Sequence, residues 1–130
     1  MHIGDLARAS GLSIDTLRWY EKIGLIRRPP RDGGGRRVYP DDTLAWIAFL
    51  GRLKATGMSV AGMLDYARLR EAGDGTSAAR RELLEAHRLR VLAEIATLTE
   101  NLSVLDDKIE TYRAIEARPA LSPRREGTTP

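Results

Sequence analysis

The chain contains no cysteine among its 130 residues. That absence removes disulfides, thiolate metal sites and cysteine nucleophiles together. Histidine is limited to His2 and His87, too few for a multi-histidine metal centre within one chain. His87 reads as a surface or packing residue, with a sensing role as the alternative. No uncharged run is long enough to cross a bilayer, and no basic-then-apolar leader opens the chain. A cytoplasmic protein is therefore expected, not a membrane or secreted one. Phosphate loops, nucleophile elbows and zinc-protease motifs are also missing. The adjacent acids Asp41-Asp42 and Asp106-Asp107 cannot converge on one point from a helix. Neither an enzyme nor a cofactor is expected. What remains, at 42% hydrophobic and 30% charged residues, is the profile of one small globular domain with an extended appendage.

Charge is unevenly placed. Residues 1–60 carry a net +4 and residues 61–130 a net −1. Between Arg18 and Arg37 stand seven basic residues and two acidic ones, a candidate polyanion-binding segment. Arginine makes up 18 of the 21 basic residues, which favours bidentate contacts to phosphate or guanine. Trp19, Tyr20 and Tyr39 lie among those arginines in a chain with only seven aromatics. Tyrosine can donate to a phosphate; equally, one of Trp19 and Tyr20 is expected to be buried against a later helix.

The pattern of apolar residues and breakers predicts a mainly α protein. Ile3, Leu6 and Ala7 share one face of a short helix, which Gly11 can end and Ser13 can follow as a cap. A second helix runs about Ile14 to Ile23, with Leu12, Leu17 and Ile23 inward, and stops at Gly24. Helix, glycine turn, helix is the layout of a helix-turn-helix. Pro29-Pro30 and Asp32-Gly33-Gly34-Gly35 predict an extended link and a small β-hairpin, or wing, presenting arginines. Pro40-Asp41-Asp42 then opens a third helix with an acidic first turn and with Leu44, Ile47, Leu50 and Leu53 inward. Thr56-Gly57-Met58-Ser59 leads to a fourth helix over about Val60 to Glu71. From Ser77 to about Ala117 there is neither proline nor glycine. Within that stretch Val91, Ile95, Leu98, Leu102, Leu105, Ile109 and Tyr112 alternate at spacings of four and three, a heptad seam on a rod of roughly 60 Å. So narrow a stripe calls for a second copy of itself, and two copies present two recognition helices to two half-sites. The expected domains are a DNA-binding domain over 1–72, a dimerising helix over 76–117 and a disordered tail over 118–130.

These residues resemble the MerR family of bacterial transcription regulators over nearly the whole chain. The resemblance rests on Ile3-Gly4-Asp5-Leu6-Ala7, Gly11-Leu12-Ser13, Thr16-Leu17-Arg18-Trp19-Tyr20-Glu21, Gly24-Leu25-Ile26, Arg37-Val38-Tyr39 and Thr56-Gly57-Met58-Ser59. From Gly73-Asp74 through His87 to Tyr112 the chain is similar to a short-chain subgroup, several members of which respond to aldehydes or other electrophiles. The resemblance implies a winged helix-turn-helix on an antiparallel coiled-coil homodimer. It assigns DNA contact to Ser13, Thr16, Arg18 and Tyr20 on the recognition helix, Arg36, Arg37 and Tyr39 in the wing, and Arg52 and Lys54 on the third helix. Thr43, Ala45 and Trp46 stand where the family usually carries an acid and then arginines. A conventional thiol sensor is excluded by composition.

The resemblance also implies a mechanism. Target promoters hold their two RNA polymerase elements on a spacer a base pair or two too long. At about 10.5 base pairs per turn, two extra pairs rotate one element by roughly 70°. The dimer would bend and untwist that spacer, at a deformation cost of order 1–6 kcal/mol, and a small effector would shift it between two conformations. Trp46, Tyr66 and Tyr112 are the candidate effector-lining residues. Two alternatives stand beside this reading: a DNA-bending protein that needs no effector, and a coiled-coil adaptor whose basic face is only solvated surface.

Overall fold

The computed structural model describes residues 1–120; ten residues of the tail expected over 118–130 lie outside the described residues. Five α-helices account for most of the chain: α1 (Ile3–Ser10), α2 (Ile14–Ile23), α3 (Thr43–Ala55), α4 (Val60–Glu71) and α5 (Ser77–Glu116), with a 3₁₀ turn at Asp74–Thr76 before the last. Local chemistry sets the boundaries. Gly11 adopts φ +76° at the end of α1, a conformation in which its N–H reaches the Ala7 carbonyl. Two residues later the Ser13 hydroxyl accepts from the Thr16 N–H at 3.0 Å and caps α2. Ser59 repeats the device for α4, accepting from the Gly62 N–H at 3.1 Å.

The third helix opens one step later than the sequence suggests. Asp41 and Asp42 precede it, and its first turn contains no acid. Asp42 takes a helical backbone angle and makes no capping bond; its carboxylate faces Arg70 at 3.8 Å instead. The hairpin is also smaller than expected. Among the described residues there is no strand, only an isolated antiparallel bridge between Arg31 and Arg37. Val38 still donates to the Pro30 carbonyl at 2.8 Å, but neither Pro29 nor Pro30 has an N–H to return, so the ladder cannot lengthen.

Two compact units result, divided between Val91 and Leu92. In the first, α1 packs on α2 and α3, and α3 on α4. Its core gathers Leu6, Leu17, Tyr20, Leu25, Ile26, Tyr39, Trp46, Ile47, Leu50, Leu53, Met58 and Met63. The beginning of α5 belongs to this unit: Leu83 and Leu84 pack on the core, and buried His87 bonds through Nε2 to the Thr56 hydroxyl at 2.8 Å. The 3.6-residue period brings Leu17 and Tyr20 to one side of α2 and leaves Trp19, 47% exposed, on another. Tyr20 is thus the member of the aromatic pair that the core takes.

The second unit, from Leu92 onward, is helical to Glu116. Ile95, Leu98, Leu102, Leu105, Ile109 and Tyr112 are 48 to 68% exposed, a solvent-facing apolar row at heptad spacing. Val91, the first seam position, is half-buried and falls in the first unit.

Candidate nucleic-acid interface

A bend at Asp32 brings the basic segment alongside α2. The Asp32 carboxylate accepts from the backbone N–H groups of Gly34 and Arg36, each at 2.9 Å, and meets His2 Nε2 at 3.1 Å. Gly35 turns the chain at φ +82°, a conformation that glycine takes without strain. The Arg36 backbone bond, followed by the His2 contact, holds the Asp32 carboxyl below the usual range.

Between this turn and α2 lies an open groove of about 890 Å³. Arg18 and Lys22 enter it from α2, and Arg28, Arg31, Arg36 and Arg37 from the connecting segment and turn. Six cations therefore face one carboxylate, that of Glu21. Arg18, Lys22, Arg28 and Arg36 have no carboxylate within 4 Å among the described residues, so their charges remain available to an outside anion. Glu21 works inward. It receives Arg37 Nη1 at 3.0 Å and the Tyr39 hydroxyl, tying the turn to α2. Burial raises the Tyr39 phenol well above its ordinary range, and the bond to Glu21 raises it further.

This geometry corrects one expected DNA contact. Tyr39 is 1% exposed, with its hydroxyl committed to Glu21, so its phenol does not reach the surface to meet a phosphate. Tyr20 is buried in the core at 7% exposure. Ser13 and Thr16 stand together at the N-terminus of α2, joined hydroxyl to hydroxyl at 2.9 Å. Arg18, Arg36 and Arg37 all line the groove. Arg52 and Lys54 do not: both are exposed in the last turn of α3, where positive charge complements the helix dipole. The groove adds Lys22, Arg28 and Arg31, whose signal was membership of the same charge run, and Glu21, which stood in the sequence only as the last residue of a motif shared with the family.

Of the candidate effector residues, Trp46 and Tyr66 stack with ring centroids 5.9 Å apart. Trp46 is buried and donates its indole N–H to the Leu25 carbonyl at 2.7 Å. Tyr112 lies in the second unit.

Comparison with known proteins bears on the same two segments. The family model described as MerR family regulatory protein matches residues 2–39, and that described as MerR, DNA binding matches residues 44–115. The HTH-type transcriptional regulator AdhR of Bacillus subtilis is 35% identical over 92 residues, covering 71% of this chain and 66% of that protein, just under two thirds of its length. The crystal structure of a MerR family transcriptional regulator from Listeria monocytogenes superimposes with a TM-score of 0.80 at 36% identity, covering 87% of this chain and 86% of the other. A second crystal structure, HiNmlR, described as a MerR family regulator lacking the sensor domain and bound to promoter DNA, gives a TM-score of 0.76 at 34% identity over 89% of this chain and 92% of that one.

Proposed function

The chain belongs to the MerR family of transcriptional regulators, and from that premise we propose that it binds promoter DNA as a homodimer and deforms the spacer to control transcription. The observation that carries this reading is the groove between α2 and the Asp32 turn, with six cations against one carboxylate. Duplex DNA places one negative charge about every 1.7 Å of its axis, and cations that displace its counterions dominate affinity. The width of α2 suits the major groove, where Arg18 can reach guanine O6 and N7. Arg28, Arg31, Arg36 and the free part of Arg37 then take phosphates, with Ser13 and Thr16 at the helix N-terminus. Arg52 and Lys54 would meet the backbone further along.

The exposed row from Ile95 to Tyr112 supports the dimer, since a contiguous apolar stripe of that length is costly to leave in water. Two copies set two α2 helices at a fixed separation and grip one duplex on either side of its centre. The deformation that follows would bring the two RNA polymerase elements into line, and a small effector would bias the dimer between states. The protein acts by binding, not catalysis, in the cytoplasm beside the DNA it controls.

Fluorescence anisotropy with the duplex upstream of its own locus tests this. Arg18→Ala is expected to weaken specific binding by about 1–3 kcal/mol and relax sequence preference at one position. Arg36→Ala is expected to weaken all duplexes alike and lower the salt slope by about one. Equal affinity for specific and scrambled duplexes in the parent protein would overturn the proposal.

A further inference from the structure

A second cavity, of about 420 Å³, lies in the first unit and shares Arg28 with the basic groove. Its walls come from the segment after α2, the start of α3, the end of α4, the 3₁₀ turn and the start of α5. Four guanidinium groups face it, those of Arg27, Arg28, Arg70 and Arg80, against the carboxylates of Asp42, Glu71 and Asp74. Two of the four are compensated, Arg27 by Glu71 and Arg70 by Asp42. The other two are not. Arg80 Nε is sealed from solvent and has no hydrogen-bond partner among the described residues; its only bond is a long one, 3.5 Å, from Nη2 to the Gly73 carbonyl. A buried N–H left unmatched is costly and uncommon in folded proteins. Beside these charges the wall is apolar, with Ile26, Pro29, Pro30, Pro40 and Trp46.

We propose that this cavity binds a small organic monocarboxylate, its carboxylate held by Arg80 and Arg28 and its alkyl or aryl body against the prolines and Trp46. A guanidinium matches a carboxylate, and the outer edge of Arg80, at Nη1, is neither hydrogen-bonded among the described residues nor sealed, so it can meet one there. Four positive groups against three negative ones leave room for one negative charge, which favours a monoanion over a phosphate dianion. The volume lies within the range of small-molecule sites.

One residue gives the site a consequence. Arg28 lines both this cavity and the basic groove. A carboxylate that draws Arg28 inward removes a cation from the DNA-facing set, so ligand and phosphate compete for one side chain. That consequence rests on the regulator reading above; the binding itself does not.

The test therefore begins without DNA. In full-length Trp19→Phe protein Trp46 is the sole tryptophan, and its emission is followed during titration with hexanoate or with hexanol at matched ionic strength. A saturable change with hexanoate in the millimolar range or below, and none with hexanol, is expected. Arg80→Gln is expected to weaken that response at least about tenfold, the loss of one charge-assisted bond. Should Arg80→Gln fail to fold by circular dichroism, the exposed Arg28→Gln carries the same comparison. No saturation, equal responses to acid and alcohol, or unchanged affinity in the folded variants would overturn the site. Promoter affinity is then measured with and without hexanoate: a fall abolished by Arg28→Gln supports the competition for Arg28. If affinity is unchanged, the coupling is refuted and the ligand site stands.

Discussion

Replacing Glu21 with alanine tests how the basic turn is held against α2. The Glu21 side chain is 8% exposed and that of Arg37 31% exposed, so the carboxylate sits in a largely dry position while its cation keeps partial contact with water. Removal leaves the buried Tyr39 hydroxyl without a charged acceptor, a loss of about 1.5–3 kcal/mol. The half-solvated ion pair adds up to about 1 kcal/mol. Together the cost is about 1.5–4 kcal/mol, which in a domain of this size lowers Tm by roughly 6–30 °C. Glu21→Gln is expected to cost much less, about 0.5–1.5 kcal/mol, because the amide oxygen still accepts from Tyr39. Thermal unfolding followed by circular dichroism reads both values. A spectrophotometric titration supplies a second readout. The folded-state pKa of Tyr39 is raised, so its contribution to stability is complete below about pH 10 and is lost as pH climbs beyond that value. In Glu21→Ala the Glu21 part of that shift disappears and the burial part persists. An alanine variant melting within a degree of the parent would refute the clamp and, with it, the rigidity of the groove.

Other consequences are independent of that clamp. Leu102→Asp, in the middle of the exposed row, is expected to convert the protein to monomer in sedimentation and to abolish binding to a duplex with two half-sites; a persisting micromolar dimer would contradict the role of α5. Ser13→Ala removes the α2 cap and is expected to cost about 0.5–2 kcal/mol in denaturant unfolding, with Ser13→Gly losing only a few tenths. The lowered pKa of Asp32 means that the turn keeps its two backbone bonds at pH 4 and loosens only as pH falls through the depressed value. The amide resonances of Gly34 and Arg36 report this, and loosening already at pH 5 would contradict it.

Much of this architecture was legible in the chain because its punctuation is local. Gly11, Ser13, Gly24 and Ser59 act on neighbours within four residues, so the end of α1, both ends of α2 and the start of α4 can be read from the caps alone. The spacing of the heptad row likewise needs no tertiary information. The misreadings share a different cause. Tyr39 is drawn inside by Glu21, eighteen positions away, and by backbone pairing with Met1, whose carbonyl accepts the Tyr39 N–H at 2.8 Å. Asp42 is diverted from the helix start toward Arg70. The run from Arg18 to Arg37 announced a basic surface, but which of its charges stay free depends on acids elsewhere: Glu21 takes Arg37, and Glu71 takes Arg27. Pairing across the fold, not composition, divides the available cations from the spent ones.

The central claim is that two copies grip and deform one duplex. A promoter fragment from the protein's own locus, labelled with a donor at one end and an acceptor at the other, tests it when energy transfer and sedimentation are read on the same complex. The account predicts two protomers per duplex and a shortened end-to-end distance that Leu102→Asp abolishes. One protomer per duplex, or a bound duplex of unchanged length, would contradict it.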